Sequence, residues 1–389
     1  MKHVHKIYYV ANARMPNDKA HGIQIAKMCE AFIEERVNLV LVVPRRGMSQ
    51  PLRKFYDLRV DVSIVRLPAI NLYNYGRMGY FISSVSFMIT SLIFLWWKRF
   101  LGEHFIIYTI DLDNYSSSAL PLAHRPLFTE MHGGKPYSLA QQFLFRHLLG
   151  VFAINGLIVD EFKQRFSHSN TNYLVEPNGV DLALFTSHDK MEARRKLNIP
   201  QDIKMVLYTG RFFEWKGLEI LLKAAEITQG IEWYIVGGTK EEFYKIVQTS
   251  PPSSMHFMGN QEQVMIPWWL AAADALIVLG TKRDQQSYLY TSPMKLFEYL
   301  LSERCIVASN TPAIGQIVSN EEALLYEPDN AEDFAAKIND AVLLTTAMRE
   351  KISKAHKIGE THSWNGRARR ILTSIQNTLE HDKKTNMAS

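Results

Sequence analysis

TSPMKLFEYLLSERCIVAS, Thr291–Ser309, decides the reading of this chain when it is set beside GRFFEWKG, Gly210–Gly217. The first stretch reads as a helix opening at Ser292-Pro293, with Lys295 in its first turn and Glu298 facing inward, followed by the apolar strand Cys305–Ala308. Proline suits a helix start because the N–H it lacks would be unpaired there anyway. The second stretch is a turn directly after the strand-like run MVLYT, Met205–Thr209, and it carries two cations, Arg211 and Lys216. A helix N-terminus and two cations hold phosphates, and a helix-borne carboxylate accepts from ribose hydroxyls, so the combination is suited to a nucleotide.

Working outward, short apolar runs alternate with helical stretches along the whole chain. The first half offers strands at Lys6–Val10, Val37–Val43, Val62–Leu67, Phe105–Tyr108, Leu127–Met131 and Val151–Ile154, with helices such as Ile23–Glu35 and Ser138–Leu149 between them. The second half repeats the rhythm at Met205–Thr209, Trp233–Val236, Met255–Met258, Ala275–Leu279, Cys305–Ala308 and Ala323–Tyr326. Such alternation implies parallel sheets covered by helices on both faces. Two runs of it in 389 residues imply two doubly wound domains, with the join at EPNGVD, Glu176–Asp181. The expected division is 1–175, 176–365, and a C-terminal helix and tail over 366–389 with the option of returning to the first domain. The polar tail from His381 reads as frayed.

In doubly wound sheets, ligands bind beyond the carboxyl ends of the strands. In the second half those ends carry Gly210-Arg211, Gly237-Gly238, Gly259-Asn260 and the polar loop GTKRDQQSYLYTSP, Gly280–Pro293. Small, polar and cationic residues thus gather on one edge and are expected to border a cleft between the domains. The first half places Lys19–Gly22 and His132-Gly133-Gly134 in the same way.

Bulk properties exclude other classes. A net charge of +5 suits an anionic substrate or membrane headgroups but is too weak for nucleic-acid binding. Hydrophobic residues at 47% and charged ones at 21% argue against long disorder. Two cysteines, Cys29 and Cys305, both in segments that read as buried, make a disulfide framework unexpected and fit a reducing cytoplasm. The basic, briefly apolar N-terminus reads as a first strand and is too short for a signal-peptide core. No closely spaced His or Cys pair suggests zinc, and neither a Walker loop nor G-x-G-x-x-G occurs. Tyr80–Trp97, YFISSVSFMITSLIFLWW, is uncharged and followed by Lys98-Arg99. It reads first as a buried helix packed on a sheet and second as a helix lying against a membrane surface, since it is short for a span and carries serines.

Taken in order along the chain, the motifs resemble the family 4 retaining glycosyltransferases of the GT-B fold. The resemblance rests on RMPNDKAHGIQIAKMCEAF (Arg14–Phe32), EMHGG (Glu130–Gly134), VEPNGVDLALF (Val175–Phe185), YTGRFFEWKG (Tyr208–Gly217), SPMKLFEYLLSERCIVASNTPAIGQIV (Ser292–Val318) and EEALLYEPDNAEDFAAKI (Glu321–Ile338). It implies two Rossmann-like domains facing across a cleft and a nucleoside-diphosphate sugar as donor substrate. It also implies a carbohydrate or lipid-linked acceptor from surface polysaccharide or glycolipid synthesis, and no metal or other cofactor. A cytoplasmic place is expected, with contact at the inner face of the membrane.

Residue by residue, the resemblance implies that Arg211 and Lys216 hold the diphosphate and that Glu298 accepts from the ribose. It implies that Gly22 approaches the phosphate and donor sugar through its backbone, and that His132 contacts the sugar near the reacting carbon. Gly210, Gly237, Gly259, Thr291 and Ser292 belong to the donor-binding edge, and Asn178 and Gly179 shape the junction. Three positions depart from the family pattern. Tyr290 stands where the family has its first glutamate, which contacts the donor sugar. His21 replaces the first glycine of the usual pair, and Glu303 stands where many members have a glycine. Two alternatives remain open at this point: a catalytically weak nucleotide-sugar-binding subunit, and a GT-B sugar-nucleotide epimerase.

Overall fold

The computed structural model describes residues 6–46, 50–123, 126–135, 138–166 and 171–388. It divides into two compact units, Met1–Pro177 with Trp364–Ser389, and Asn178–Ser363.

The first unit is built on β1 (Lys6–Val10), β2 (Asn38–Pro44), β3 (Ser63–Leu67), β4 (Ile106–Ile110), β5 (Leu127–Met131), β6 (Gly150–Ala153) and β7 (Asn172–Val175). They lie in the order β3-β2-β1-β4-β5-β6-β7. The second unit holds β8 (Lys204–Thr209), β9 (Ile231–Val236), β10 (Met255–Phe257), β11 (Ala275–Val278), β12 (Cys305–Ser309) and β13 (Leu324–Tyr326) in the order β10-β9-β8-β11-β12-β13. Every ladder is parallel. In each sheet the order reverses beside the first strand, between β1 and β4 and between β8 and β11. That reversal opens the crevice in which doubly wound sheets bind ligands.

Strands covered on both faces are mostly apolar, and β4, β5 and β12 are buried throughout, with Glu130 of β5 the charged exception. In β8, Val206 and Tyr208 join one core with Leu218, Leu221 and Phe334, while Met205 and Leu207 join the other with Leu296, Phe297 and Leu300. This is the two-residue period of a strand dividing its side chains between two helical layers.

Three features differ from the expectation. β7 is an edge strand with only partial burial, so Asn172–Val175 lacks the apolar run that marks a central strand. The segment expected to fray from His381 instead continues the helix Trp364–Ala388. That helix packs on the helix Ala20–Glu34 and on β6 and β7 of the first unit. Third, the segment expected as a buried helix is a 25-residue helix, Gly76–Phe100, and only one of its faces is covered.

Candidate active site

The second unit brings three strand ends together through glycine. Gly210, Gly237 and Gly259 have φ of 124°, 111° and 64°, values that favour glycine over any side chain. The Gly210 amide donates to the Val236 carbonyl at 2.8 Å, and the Gly237 amide donates to the Gly259 carbonyl at 2.7 Å. A Cβ on Gly237 would lie 2.8 Å from the carbonyl carbon and oxygen of Gly210, and one on Gly238 would collide with the Phe212 ring. Backbone is therefore packed on backbone at the carboxyl ends of β8, β9 and β10.

Cations converge on this platform. Lys216 Nζ donates to the Arg211 carbonyl at 2.8 Å, which folds the turn back on itself. Gly217, with φ of 73°, then starts the helix Leu218–Ile227. Burial, with Arg211 adding to it, pulls the Lys216 ammonium down to about 8. A third cation arrives from the neighbouring strand connection: Lys295 Nζ lies 3.6 Å from the centroid of the Tyr208 ring. The Cβ position of Gly210 is 3.1 Å from Lys295 Nζ and 3.8 Å from Lys216 Nζ. Burial and the nearby Lys216 push the Lys295 ammonium well below the ordinary lysine value, against the pull of Glu298. Two lysine side chains held close over Gly210, with Arg211 near enough for its charge to act on Lys216, form a socket for a polyanion. The sequence placed Lys295 in the first turn of its helix but showed nothing of its reach. That reach follows from the sheet order, which sets β11 and the helix Met294–Leu301 beside β8.

Glu298 stands one turn after Lys295 on that helix. Burial raises its carboxyl to about 7, and Lys295 opposes the rise. Together with Phe185, His188, Leu270 and Ser302 it borders a cavity of about 10 Å³, room for one water and not for a ribose. A ribose would have to approach along the face shared with Lys295.

Other expected residues fall less directly. Pro293 is the cap of the helix Met294–Leu301, so Ser292 lies just before it. Ser292 is buried against the junction: Asn178 Nδ2 donates to its carbonyl at 2.8 Å and the Asn178 amide to its hydroxyl at 3.4 Å. Thr291 adjoins it at the end of a π-helical turn, Gln286–Tyr290. Tyr290 is 7% exposed, and its hydroxyl accepts from Gln285 Nε2 at 2.9 Å. Beside the cationic turn, Glu214, Trp215, Glu219, Thr281, Arg283 and Asp284 line an open hollow of about 400 Å³. Arg283 is neutralised there by Glu219 at 2.7 Å and Asp329 at 3.3 Å.

In the first unit His132 follows β5, and its Nε2 is 2.8 Å from Glu130 Oε1. Glu130 is the hub of a buried cluster. It accepts from Gln24 Nε2 at 2.6 Å, Tyr108 Oη at 2.7 Å and Arg367 Nη2 at 2.7 Å. Burial alone would raise its carboxyl, but Arg367 and His132 outweigh that and hold it at about 2. His21, whose field reaches His132, is lowered to about 4 by burial first and Lys19 next. Gly22 has a packing reason of its own, because a Cβ there would lie 2.6 Å from the Tyr56 hydroxyl and 2.7 Å from Asn17 Oδ1. Sequence reading missed a further group at this edge. Lys135 is ion-paired with Asp111 and donates to the carbonyl of Asp113, all three buried. Among the described residues, no group of three or more His, Cys, Asp or Glu is placed to hold a metal ion.

Residues 189–358, the greater part of the unit that holds the cationic socket, match the family described as glycosyl transferases group 1. In sequence the chain is 28% identical over 184 residues to WcaI of Escherichia coli (strain K12), provisionally named a colanic acid biosynthesis glycosyl transferase. That match covers 44% of each chain. The chain spans less than half the length of the curated relatives it matches. Solved structures cover far more. Sucrose-phosphate synthase from Thermosynechococcus elongatus superposes with a TM-score of 0.77 over 97% of this chain and 100% of that one, at 17% identity. Anabaena HepE in complex with UDP and glucose gives 0.70 over 96% and 99%, also at 17%. Likeness at that identity establishes the fold. The fold is GT-B, with two Rossmann-like parallel-sheet domains.

Proposed function

We propose that this chain is a retaining glycosyltransferase that moves a sugar from a nucleoside-diphosphate donor to a carbohydrate or lipid-linked acceptor in the cytoplasm. The observation that carries this reading is the convergence of Lys216 and Lys295 on the backbone of Gly210, with Arg211 near enough for its charge to act on Lys216. As the bond from the anomeric carbon to the phosphate oxygen breaks, negative charge grows on the departing diphosphate. Fixed cations there stabilise the transition state more than the ground state. These cations would do the work that a divalent metal does elsewhere, so a chelator is expected to leave transfer unchanged. Attack on the same face, with the leaving phosphate taking the acceptor's proton, would preserve the anomeric configuration.

In this reading Glu298 accepts from the ribose and His132 contacts the sugar, its ring oriented by Glu130. The complex of HepE with UDP and glucose supports UDP-sugars as the first donors to try. The test is incubation with UDP-, GDP-, ADP- and TDP-sugars, following diphosphate release, product anomer and thermal stability. A nucleotide at ~100 times its dissociation constant adds about 2.7 kcal/mol of stability. Stabilisation with release of diphosphate and a retained anomer supports the proposal. No stabilisation by any nucleoside diphosphate would end it.

A further inference from the structure

The helix Gly76–Phe100 is long and apolar enough to cross a membrane, with a mean hydropathy of 1.8 in its most apolar window. Its covered face nonetheless belongs to the first unit. Phe87 and Leu95 are fully buried, Phe94 packs edge-on against Tyr8 of β1, and three serines point inward with them. Ser83 Oγ accepts from the Leu72 amide at 2.8 Å, and Ser84 Oγ accepts from Asn12 Nδ2 at 3.3 Å. The serines thus turn toward the protein together with Phe87 and Leu95, and a second row of apolar side chains turns away from it. Met78, Ile82, Ile89, Ile93, Trp96 and Phe100 recur at helical spacing along the outer face, at 68%, 36%, 48%, 58%, 50% and 82% exposure. Trp97 and Leu101 extend the patch at one end, and Leu122 accepts from Trp96 Nε1 at its margin.

We infer that this face is a docking surface for an anionic lipid bilayer, with the helix lying in the plane of the headgroups. Spanning is excluded by the buried face, which would have to leave the sheet. The charges choose lipid over a second copy of the chain. The helix contains no acidic residue and carries Arg77 in its first turn and Arg99 in its last, while Lys98 beside it is paired with Glu103 at 2.9 Å. Two copies packed on this face, parallel or antiparallel, would set cations against cations, whereas anionic headgroups complement both ends. Tryptophans beside basic residues at one end suit the level where acyl chains meet headgroups.

Flotation of the full chain with vesicles of phosphatidylcholine, with and without about one-third phosphatidylglycerol, tests this. Wild type is expected to float with the anionic vesicles, with tryptophan emission shifted to the blue. Ile89→Asp/Ile93→Asp is expected to lower partitioning about tenfold or more, with unchanged thermal stability and nucleotide affinity. Leu343→Asp, an exposed leucine of the other unit, serves as the control and is expected to float like wild type. Failure of wild type to float would overturn the inference, as would equal flotation of the double variant. So would a self-association, seen in sedimentation equilibrium, that the double variant abolishes, because the face would then be covered by a second copy. Flotation does not depend on catalysis, so its outcome is independent of whether the transfer reaction is found.

Discussion

Arg367 Nη2 donates to Glu130 Oε1 at 2.7 Å, and the two residues lie 237 positions apart. Both side chains are buried, 1% and 0% exposed. The contact ties the C-terminal helix to the strand that carries His132, and Arg367 also donates to the Glu176 and Pro177 carbonyls. Breaking a buried pair from one side leaves an uncompensated charge. Arg367→Met is therefore expected to cost about 3–5 kcal/mol of stability, measured by urea unfolding. The pair also sets an acid limit. Glu130 is held at about 2 against an ordinary 4.5, so its contribution is complete above 4.5 and is lost as pH falls through 2. Arg367→Met is expected to flatten the stability curve in that window.

If the proposed donor site holds a nucleotide, two shifted groups predict a narrow pH range for its binding. Lys216 must be protonated to hold a diphosphate, so affinity falls up to tenfold per pH unit above about 8. Glu298 must be ionised to accept from ribose, so affinity falls as pH drops below about 7. On these two groups affinity is greatest between 7 and 8, and Lys295, also depressed by burial, adds to the alkaline fall. The unliganded protein shows the reverse. The folded state binds more protons than the unfolded one at Glu298 between 4.5 and 7, so that contribution to stability declines with rising pH. It binds fewer at Lys216 between 8 and 10.5, so stability is regained there. Calorimetric titrations and melting curves across pH 5–10 check both signs. Affinity independent of pH would remove both residues from the site.

Lys295→Met separates binding from folding. The methionine fills similar space without a desolvated charge, so the unliganded protein is expected to melt at the same or a higher temperature. Affinity for a nucleoside diphosphate is expected to fall by about 1.5–3 kcal/mol, the range of hydrogen bonds to charged groups. A variant that loses stability and keeps affinity would make Lys295 structural.

Glu303 takes φ of 56° in the turn before β12. A side chain in that left-handed region costs about 1–2 kcal/mol. Its carboxylate recovers part of this by accepting from Ser187 Oγ at 2.8 Å. Glu303→Gly is expected to stabilise the protein by ~0.5–1 kcal/mol, a rise of a few degrees in melting temperature. A lower melting temperature would mean that the Ser187 contact outweighs the strain.

At Tyr290 burial changes the expected cost of substitution. Tyr290→Phe removes one hydrogen bond from Gln285 and is expected to cost about 1 kcal/mol. Tyr290→Glu places a carboxylate in a site that is 7% exposed and is expected to cost more. If Tyr290 recognises the donor sugar, the two variants also reorder relative kcat/KM across a donor panel. Loss of stability with an unchanged ranking identifies the phenol as packing.

Local chemistry made much of this legible beforehand. The strand–turn–helix rhythm marked both sheets, because each central strand is apolar on both faces. Gly210, Gly237 and Gly259 follow strands in the sequence, and their positive φ values give the physical reason for glycine there. Arg211 and Lys216 sit on one short turn and were readable for that reason. What escaped were relations set by topology. Lys295 reaches Gly210 only because β8 lies beside β11, and Glu130 finds Arg367 only because the chain returns to its first unit. The helix Gly76–Phe100 reads as buried in the sequence and is covered on one face only, since composition does not tell which side a sheet will cover.

That return also fixes an order of assembly during synthesis. Asn178–Ser363 is one continuous segment, and its two ends meet in the parallel bridge between Val180 and Ser363. Every residue it needs is in place once Ser363 has been added. The first unit emerges earlier yet waits longer, because Glu130 and Glu176 remain without Arg367 and Arg370 until the last helix arrives. A chain stopped at residue 363 would leave Glu130 with Gln24, Tyr108 and His132 but without its guanidinium, and Glu176 without Arg370.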